Sequence, residues 1–261
     1  MADDATDPQA CVAYLDYVSA LPSIRAYKRR TFDVLRLQPG AHVLEVGCGT
    51  GVDAVELARF VGPGGRVLGV DSSEVMVTEA LRRRPEDGQV VEYRLADAHS
   101  LPLPADSFDG CRADRVFQHL HSPEQALAEM IRVTRPGGWV AVSDTDWGTL
   151  VVDASDVETT RRVAHFCGGL ATHAYIGRRL PGMVKRSGLH AVGFEALPIV
   201  FDNLTDAQRV LGLGTVARMA AAAGVISAEA MRAWVSDLEE AAAEGRFFCA
   251  ICGFLAYGRK P

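Results

Sequence analysis

The segment Val43-Leu44-Glu45-Val46-Gly47-Cys48-Gly49-Thr50-Gly51 constrains the fold more than any other part of the chain. A mostly apolar run leads into three glycines, and a helical pattern begins at once with Val52. Glycine tolerates positive φ and lets a ligand approach the backbone closely. The first N–H groups of a helix lack intrahelical partners. A strand, a glycine turn and a helix N-terminus in this order point to a nucleotide-like ligand. The spacing then separates two ligand classes. A dinucleotide fingerprint, G-x-G-x-x-G, needs its third glycine at position 52. Val52 stands there, and the glycines fall at 47, 49 and 51.

Strand and helix patterns alternate along most of the chain, which implies a parallel sheet with helices on both faces. Helices are expected over 8–20 and 23–35, then a strand over 42–46 and a helix over 52–61. The unit repeats with strand 66–70, helix 74–84, strand 90–96, strand 108–113, helix 123–133 and strand 139–143. Pro136-Gly137-Gly138 reads as a turn. Beyond Trp147 the alternation weakens: helices over 156–171 and 177–187, an extended segment over 190–201, helices over 206–223 and 228–244, and a last strand over 247–257. Two helices between final strands that need only a short turn suggest a cap or an interface. The expected architecture is one α/β domain over 1–261. It has a doubly wound, mostly parallel seven-stranded sheet, N-terminal helices over 1–35 and a helical cap over 204–245.

Asp71 ends the second strand, where a carboxylate can accept from both ribose hydroxyls. Asp71 or Ser72 can also cap the next helix. Leu95-Ala96-Asp97-Ala98-His99 closes the third strand. Two further stretches are Ser107-Phe108-Asp109 running to Arg115-Val116-Phe117-Gln118-His119-Leu120, and Glu129-Met130-Ile131-Arg132-Val133-Thr134-Arg135-Pro136-Gly137-Gly138.

Taken in order, these motifs resemble class I, Rossmann-like S-adenosylmethionine (SAM)-dependent methyltransferases. The likeness is to the small-molecule type that includes the ubiquinone/menaquinone and natural-product enzymes. It covers roughly residues 25–147. The pattern departs at Phe117 and Thr134, where that family has leucine. The resemblance implies SAM as cofactor and S-adenosylhomocysteine as product. It implies contacts from Glu45, Gly47, Cys48, Gly49 and Gly51 of the glycine motif, and from Asp71 and Ser72. Met76 would pack on the adenine, Asp97 would accept from its amino group, and Ala98 would offer a backbone N–H to the ring. Arg115 would meet the methionine end through its backbone. Tyr27, in the helix before the first strand, would touch that end or pack on the sheet.

Methyl transfer from a sulfonium needs mainly that two partners be held in line. A hydroxyl nucleophile also needs a proton acceptor. His119 follows the fourth strand and Asp144 ends the fifth, so both stand at the sheet edge that would face the sulfonium. They are the expected base and its orienting carboxylate, against the alternative that His119 packs locally. Asp146-Trp147 follows and would line the acceptor pocket or pack in the loop. Tyr14 and Tyr17, three apart on one helix face, suggest core packing rather than a lid.

The net charge of −6 argues against a nucleic acid as main partner. The sequence lacks the D/N-P-P-Y/F tetrapeptide of adenine and cytosine amino-methylating enzymes and the Pro-Cys pair of cytosine C5 chemistry, which narrows the acceptor away from nucleic-acid bases but leaves a protein substrate open. No run approaches the roughly 20 apolar residues that span a bilayer. The acidic start, MADDATDPQA, is unlike a signal peptide. A soluble, cytoplasmic protein without a membrane partner is expected, and a homodimer is left open. The six cysteines show no framework spacing, and Cys249 and Cys252 fall on opposite faces of a strand. No metal site is expected. Three rival readings remain: a SAM-binding protein with a cyclase-like or regulatory role, an NAD-dependent oxidoreductase, and a macromolecular methyltransferase.

Overall fold

Val43, Leu44 and Val46 are apolar on both faces of their strand, and such a strand needs cover on both sides. The computed structural model describes residues 7–84 and 90–261. In it that strand, β1 (His42–Val46), is central and its apolar residues are buried. Among the described residues the sheet has seven strands. The others are β2 (Arg66–Asp71), β3 (Val90–Leu95), β4 (Phe108–Asp114), β5 (Thr134–Val152), β6 (His190–Phe201) and β7 (Cys249–Arg259). Their order is β3-β2-β1-β4-β5-β7-β6. Pairing is parallel from β3 through β5, and β7 runs antiparallel to both its neighbours. The order reverses between β1 and β4, and a ligand crevice forms at such a switch point.

The helices are α1 (Pro8–Ala20), α2 (Pro22–Asp33), α3 (Val52–Val61), α4 (Glu74–Arg82), α5 (Pro123–Val133), α6 (Val157–Gly168), α7 (Ile176–Arg186), α8 (Leu204–Leu211), α9 (Leu213–Ala222) and α10 (Ala228–Ala243). Leu44 and Val46 cluster with Leu127 and Met130 of α5 and Leu180 of α7. Val43, on the other face, clusters with Phe32 of α2 and Leu57 of α3. A third cluster joins Trp147, Ile199 and Ile251 to the helices after β6 and to Val18 of α1.

Several elements differ from the sequence reading. The fifth strand runs from Thr134 to Val152. Pro136-Gly137-Gly138 lies within it as an irregularity, where the register jumps between the Phe108 and Gly110 pairs. A second jump between Asp146 and Val151 pushes the Trp147 segment out of the ladder. The helix expected over 206–223 is two helices, broken at Gly212 with φ +67°. Arg83, the residue after α4, pairs with Asp16 and ties the end of α4 to α1. Tyr14 and Tyr17 also do more than pack. Tyr17 Oη hydrogen-bonds Asp206 of α8, and Tyr14 Oη reaches the Val210 carbonyl oxygen at 3.4 Å. No helix of the described residues is long and apolar enough to cross a membrane.

Candidate cofactor and acceptor site

The glycine turn after β1 builds a cradle at the switch point. Gly47 and Cys48 donate their N–H groups to the Val70 carbonyl of β2, at 2.7 and 3.0 Å. Gly49 has φ +51°, and a Cβ there would meet only Leu15, at 3.4 Å, with the cavity around it. Gly51 has φ +84°, and its Cβ would lie 2.5 Å from Tyr93 Oη. Gly47, Cys48 and Gly49 line the cavity, whereas Gly51 does not. The expected ligand role of Gly51 is therefore corrected: it turns the chain and leaves room for Tyr93.

Asp71 clamps the cradle from the next strand. Its Oδ2 accepts the Gly49 N–H at 2.8 Å and its Oδ1 accepts the Ser73 N–H at 3.0 Å. Asp71 itself lines the cavity. Ser73, not Ser72, caps α4 by accepting from the Met76 N–H at 3.3 Å. Ser72 and the buried Met76 line the cavity. Asp97 and Ala98 line it farther along. Asp97 Oδ1 accepts the His99 N–H at 2.9 Å and meets His99 Nδ1 at 2.5 Å. The His99 backbone N–H, then its ring, holds the Asp97 carboxyl below its ordinary range. The Asp97 side chain is otherwise exposed.

Two further expectations move away from the cavity. Glu45 is buried in an ion pair with Arg112, which stands directly across the ladder on β4, and it does not line the cavity. Burial pushes its carboxyl up to about 8. Arg112 also reaches Asp53 and Asp114, each at 3.2 Å, and Lys28 pairs with Asp53 at 2.7 Å. Tyr27 does not line the cavity either. Its hydroxyl bonds Asp114 and lies 3.0 Å from Ser143 Oγ, and Asp114 and Ser143 are cross-strand neighbours. Glu45 and Tyr27 thus act on charges beneath the cradle.

Arg115 follows β4 with φ +57°, a conformation that a long side chain rarely adopts. Its N–H donates to the Ser143 carbonyl at 2.9 Å. Its Nε is buried without a hydrogen-bond partner among the described residues. Both Arg115 and Asp114 line the cavity. Side by side they offer a cation and an anion.

Beyond the cradle the same cavity, about 760 Å³ in all, continues under α1 and α8. Its wall there includes Tyr14, Leu15, Trp147, Ile199, Phe201, Val210, Leu211 and Ile251. Ile199 and Ile251 are cross-strand partners. Of the Asp146-Trp147 pair, Trp147 lines the chamber. Asp146 is fully buried beneath it, bonded to Arg178 Nε and Nη2, each at 2.6 Å.

His119 closes a short 3-10 turn (Phe117–His119) and faces the cavity. Asp144 is fully buried and does not line it. Its Oδ2 accepts the Gln118 N–H at 2.9 Å and its Oδ1 the Thr145 N–H at 2.8 Å. Burial pushes this carboxyl up to about 7. Sequence reasoning missed Gln118, which lines the cavity between them; a lone glutamine in a motif's variable position carries no signal. Cys249 is buried and Cys252 half-buried, on alternate faces of β7. The described residues contain no cluster of His, Cys, Asp and Glu suited to a metal.

A family model described as a methyltransferase domain matches residues 44–142, which spans the cradle and β4. The chain belongs to the class I SAM-dependent methyltransferases, and SAM is their cofactor. It is 39% identical over 241 residues to an uncharacterized 37.1 kDa protein in transposon TN4556 of Streptomyces fradiae, covering 92% of this chain and 68% of that one. It is 32% identical over 122 residues to a demethylmenaquinone methyltransferase of Desulfitobacterium hafniense, covering 46% of this chain and 48% of that one. The chain thus spans about half the length of that curated relative. Among solved structures, the (4+2)-cyclase SpnF shares the fold with a TM-score of 0.58 at 22% identity, over 91% of this chain and 82% of that one. A phosphoethanolamine N-methyltransferase 2 of Haemonchus contortus, in complex with S-adenosylhomocysteine, does so with a TM-score of 0.61 at 18% identity, over 99% of this chain and 59% of that one.

Proposed function

We propose that the chain transfers the methyl group of SAM to a small-molecule acceptor through a hydroxyl, an amine or an activated carbon. One observation carries this reading: the glycine cradle and the chamber under α1 and α8 form a single cavity, large enough for two small ligands.

Two features of the cavity fit the cofactor. Gly49 lines the cavity with no side chain of its own, so the backbone there is bare for a ligand. The orphaned Nε of Arg115 wants an anion, and a buried donor without a partner is costly. Asp71 would hold the ribose hydroxyls, Met76 the adenine face, and Asp97 Oδ2 with the Ala98 N–H its edge. Gly47, Cys48 and Ser72 would complete the wall. Arg115 would meet the methionine carboxylate and Asp114 the ammonium. Bound there, SAM supplies a methyl group already activated on sulfur.

The chain's own part is then to orient the acceptor and receive a proton where one is released. His119 is the group for the proton, since an imidazole is neutral near pH 7. Asp144 serves it indirectly. By taking the Gln118 N–H, Asp144 pins the turn that carries His119. In this reading Asp144 is a positioning residue. Residues 204–245 supply the roof through α8, with Val210 and Leu211 at the cavity wall.

The test is transfer of label from methyl-labelled SAM in the presence of fractionated cell extract. The reading expects label in a low-molecular-mass fraction, with S-adenosylhomocysteine formed in step. Label in protein or nucleic acid would overturn it. Label left on SAM while an extract component changes would favour a cyclase-like role, in keeping with the shared SpnF fold.

A further inference from the structure

Gln118 is held at three points. Its N–H donates to Asp144, and its C=O accepts the His173 N–H at 3.1 Å. Its side-chain Oε1 accepts from the Trp147 indole Nε1–H at 3.0 Å. An indole N–H only donates, so the amide oxygen must face Trp147 and the amide nitrogen must face away. The Nε2 group has no hydrogen-bond acceptor among the described residues, and Gln118 lines the cavity while only 5% exposed. A fixed pair of N–H donors therefore opens on the space between cradle and chamber.

Among the described residues, the chamber wall is largely apolar. Trp147, Ile199, Phe201, Val210, Leu211 and Ile251 form its wall. The Lys, Arg, Asp and Glu side chains that line the cavity are Lys28, Asp53, Asp71, Asp97, Asp114 and Arg115, all on the cofactor side. Among the described residues, none of the chamber wall carries a charge to pair with a phosphate, a carboxylate or an ammonium group.

We propose that the acceptor is a largely apolar molecule presenting an oxygen that accepts a hydrogen bond from Gln118 Nε2, making Gln118 the residue that orients it. This rests on the methyl-transfer reading and adds the acceptor's class. A carbonyl, an enolate or a phenolate oxygen satisfies the donor, and the rest of the molecule buries apolar surface against the wall.

The test uses the protein loaded with S-adenosylhomocysteine and two probes of matched shape, 2-acetonaphthone and its oxygen-free counterpart 2-isopropenylnaphthalene, in equilibrium dialysis at pH 8. Gln118→Glu keeps an acceptor for Trp147 and deletes the donors; Gln118→Leu deletes both polar functions. The wild type should prefer the ketone. Both variants should lose that preference by about 2- to 13-fold, the range for one neutral hydrogen bond. Hydrocarbon binding to Gln118→Leu and S-adenosylhomocysteine affinity of both variants should stay within about twofold. An unchanged preference in both variants would overturn the assignment of Gln118. Failure of both probes to bind the loaded wild type would overturn the apolar chamber while leaving methyl transfer standing. Failure of S-adenosylhomocysteine to bind would overturn both.

Discussion

The two halves of the cavity are built by opposite means. The cofactor half is made of backbone: positive-φ glycines, N–H groups and carboxylates at the ends of β1, β2 and β3, with charged groups packed beneath. The acceptor half is made of side chains from α1, the Trp147 segment, β6, α8 and β7, which are far apart in sequence and largely apolar. A ligand recognised by backbone geometry constrains residue type more strictly, because glycine adopts a positive φ far more readily than other residues and leaves the backbone bare. A ligand recognised by an apolar wall constrains only volume and hydrophobicity. The first half can therefore be shared across a family while the second varies with the acceptor.

Substitutions in each half should separate in the same way. The largest effect is expected at the junction. On a hydroxyl acceptor, His119→Ala should lower kcat by about 10²–10⁴-fold, the usual contribution of a general base. Its SAM affinity should stay near wild type by calorimetry. Full activity with a flat pH–rate profile between about pH 5.5 and 8, a window around the ordinary His value, would make His119 a packing residue.

Next come the glycines, which split the cradle itself. Gly49→Val should weaken SAM binding by roughly 100-fold or more, about 2.7 kcal/mol, because its side chain would project into the cavity. Gly51→Val should instead lower Tm, since its side chain would drive into Tyr93. Retained SAM binding in Gly49→Val would reduce the turn to a structural feature.

Asp71→Ala should weaken SAM affinity by roughly 10- to 150-fold, the cost of a charge-assisted hydrogen bond of about 1.5–3 kcal/mol. A folded variant with unchanged affinity would remove Asp71 from the ribose.

A separate effect, on stability rather than on binding, concerns Asp144 and pH. Its carboxyl is pushed up to about 7 in the fold, against about 3.9 unfolded. Between these values the folded state holds the extra proton. This group therefore favours folding most at low pH, and stability declines as pH rises from about 4 to about 7. Asp144→Asn cannot ionise and should not show that decline. The stability of the wild type relative to the variant, from urea midpoints, should thus be smaller at pH 8 than at pH 5. An equal gap would mean that Asp144 is ionised throughout.

Much of the cofactor half was legible in the sequence. The glycine spacing, Asp71 after β2 and Asp97 after β3 appear in chain order, as a switch-point site demands. Glu45 and Tyr27 were misplaced because their partners depend on strand order. Arg112 faces Glu45 only because β4 lies beside β1, and Tyr27 bonds Asp114 and Ser143 across the β4–β5 pair. Asp144, expected to end the fifth strand, lies within β5 (Thr134–Val152), and its full burial is a packing fact. In the acceptor half, the apolar pattern over 206–223 continues through Gly212 and hid a break set by one positive φ. The tyrosines of α1 gave no sign that α8 would cover them. Contacts between residues nearly 200 positions apart leave no local pattern.

Hydrogen exchange with the two ligands added in turn tests the divided cavity most directly. S-adenosylhomocysteine alone should slow exchange in the turn over 47–50 and in 71–73 and 97–99, and leave α8 (Leu204–Leu211) nearly unchanged. Adding 2-acetonaphthone should then slow exchange in α8 and around Ile199, with little further change in the glycine turn. Full protection of both regions by the first ligand, or none in α8 with either, would contradict a two-part cavity roofed by that helix.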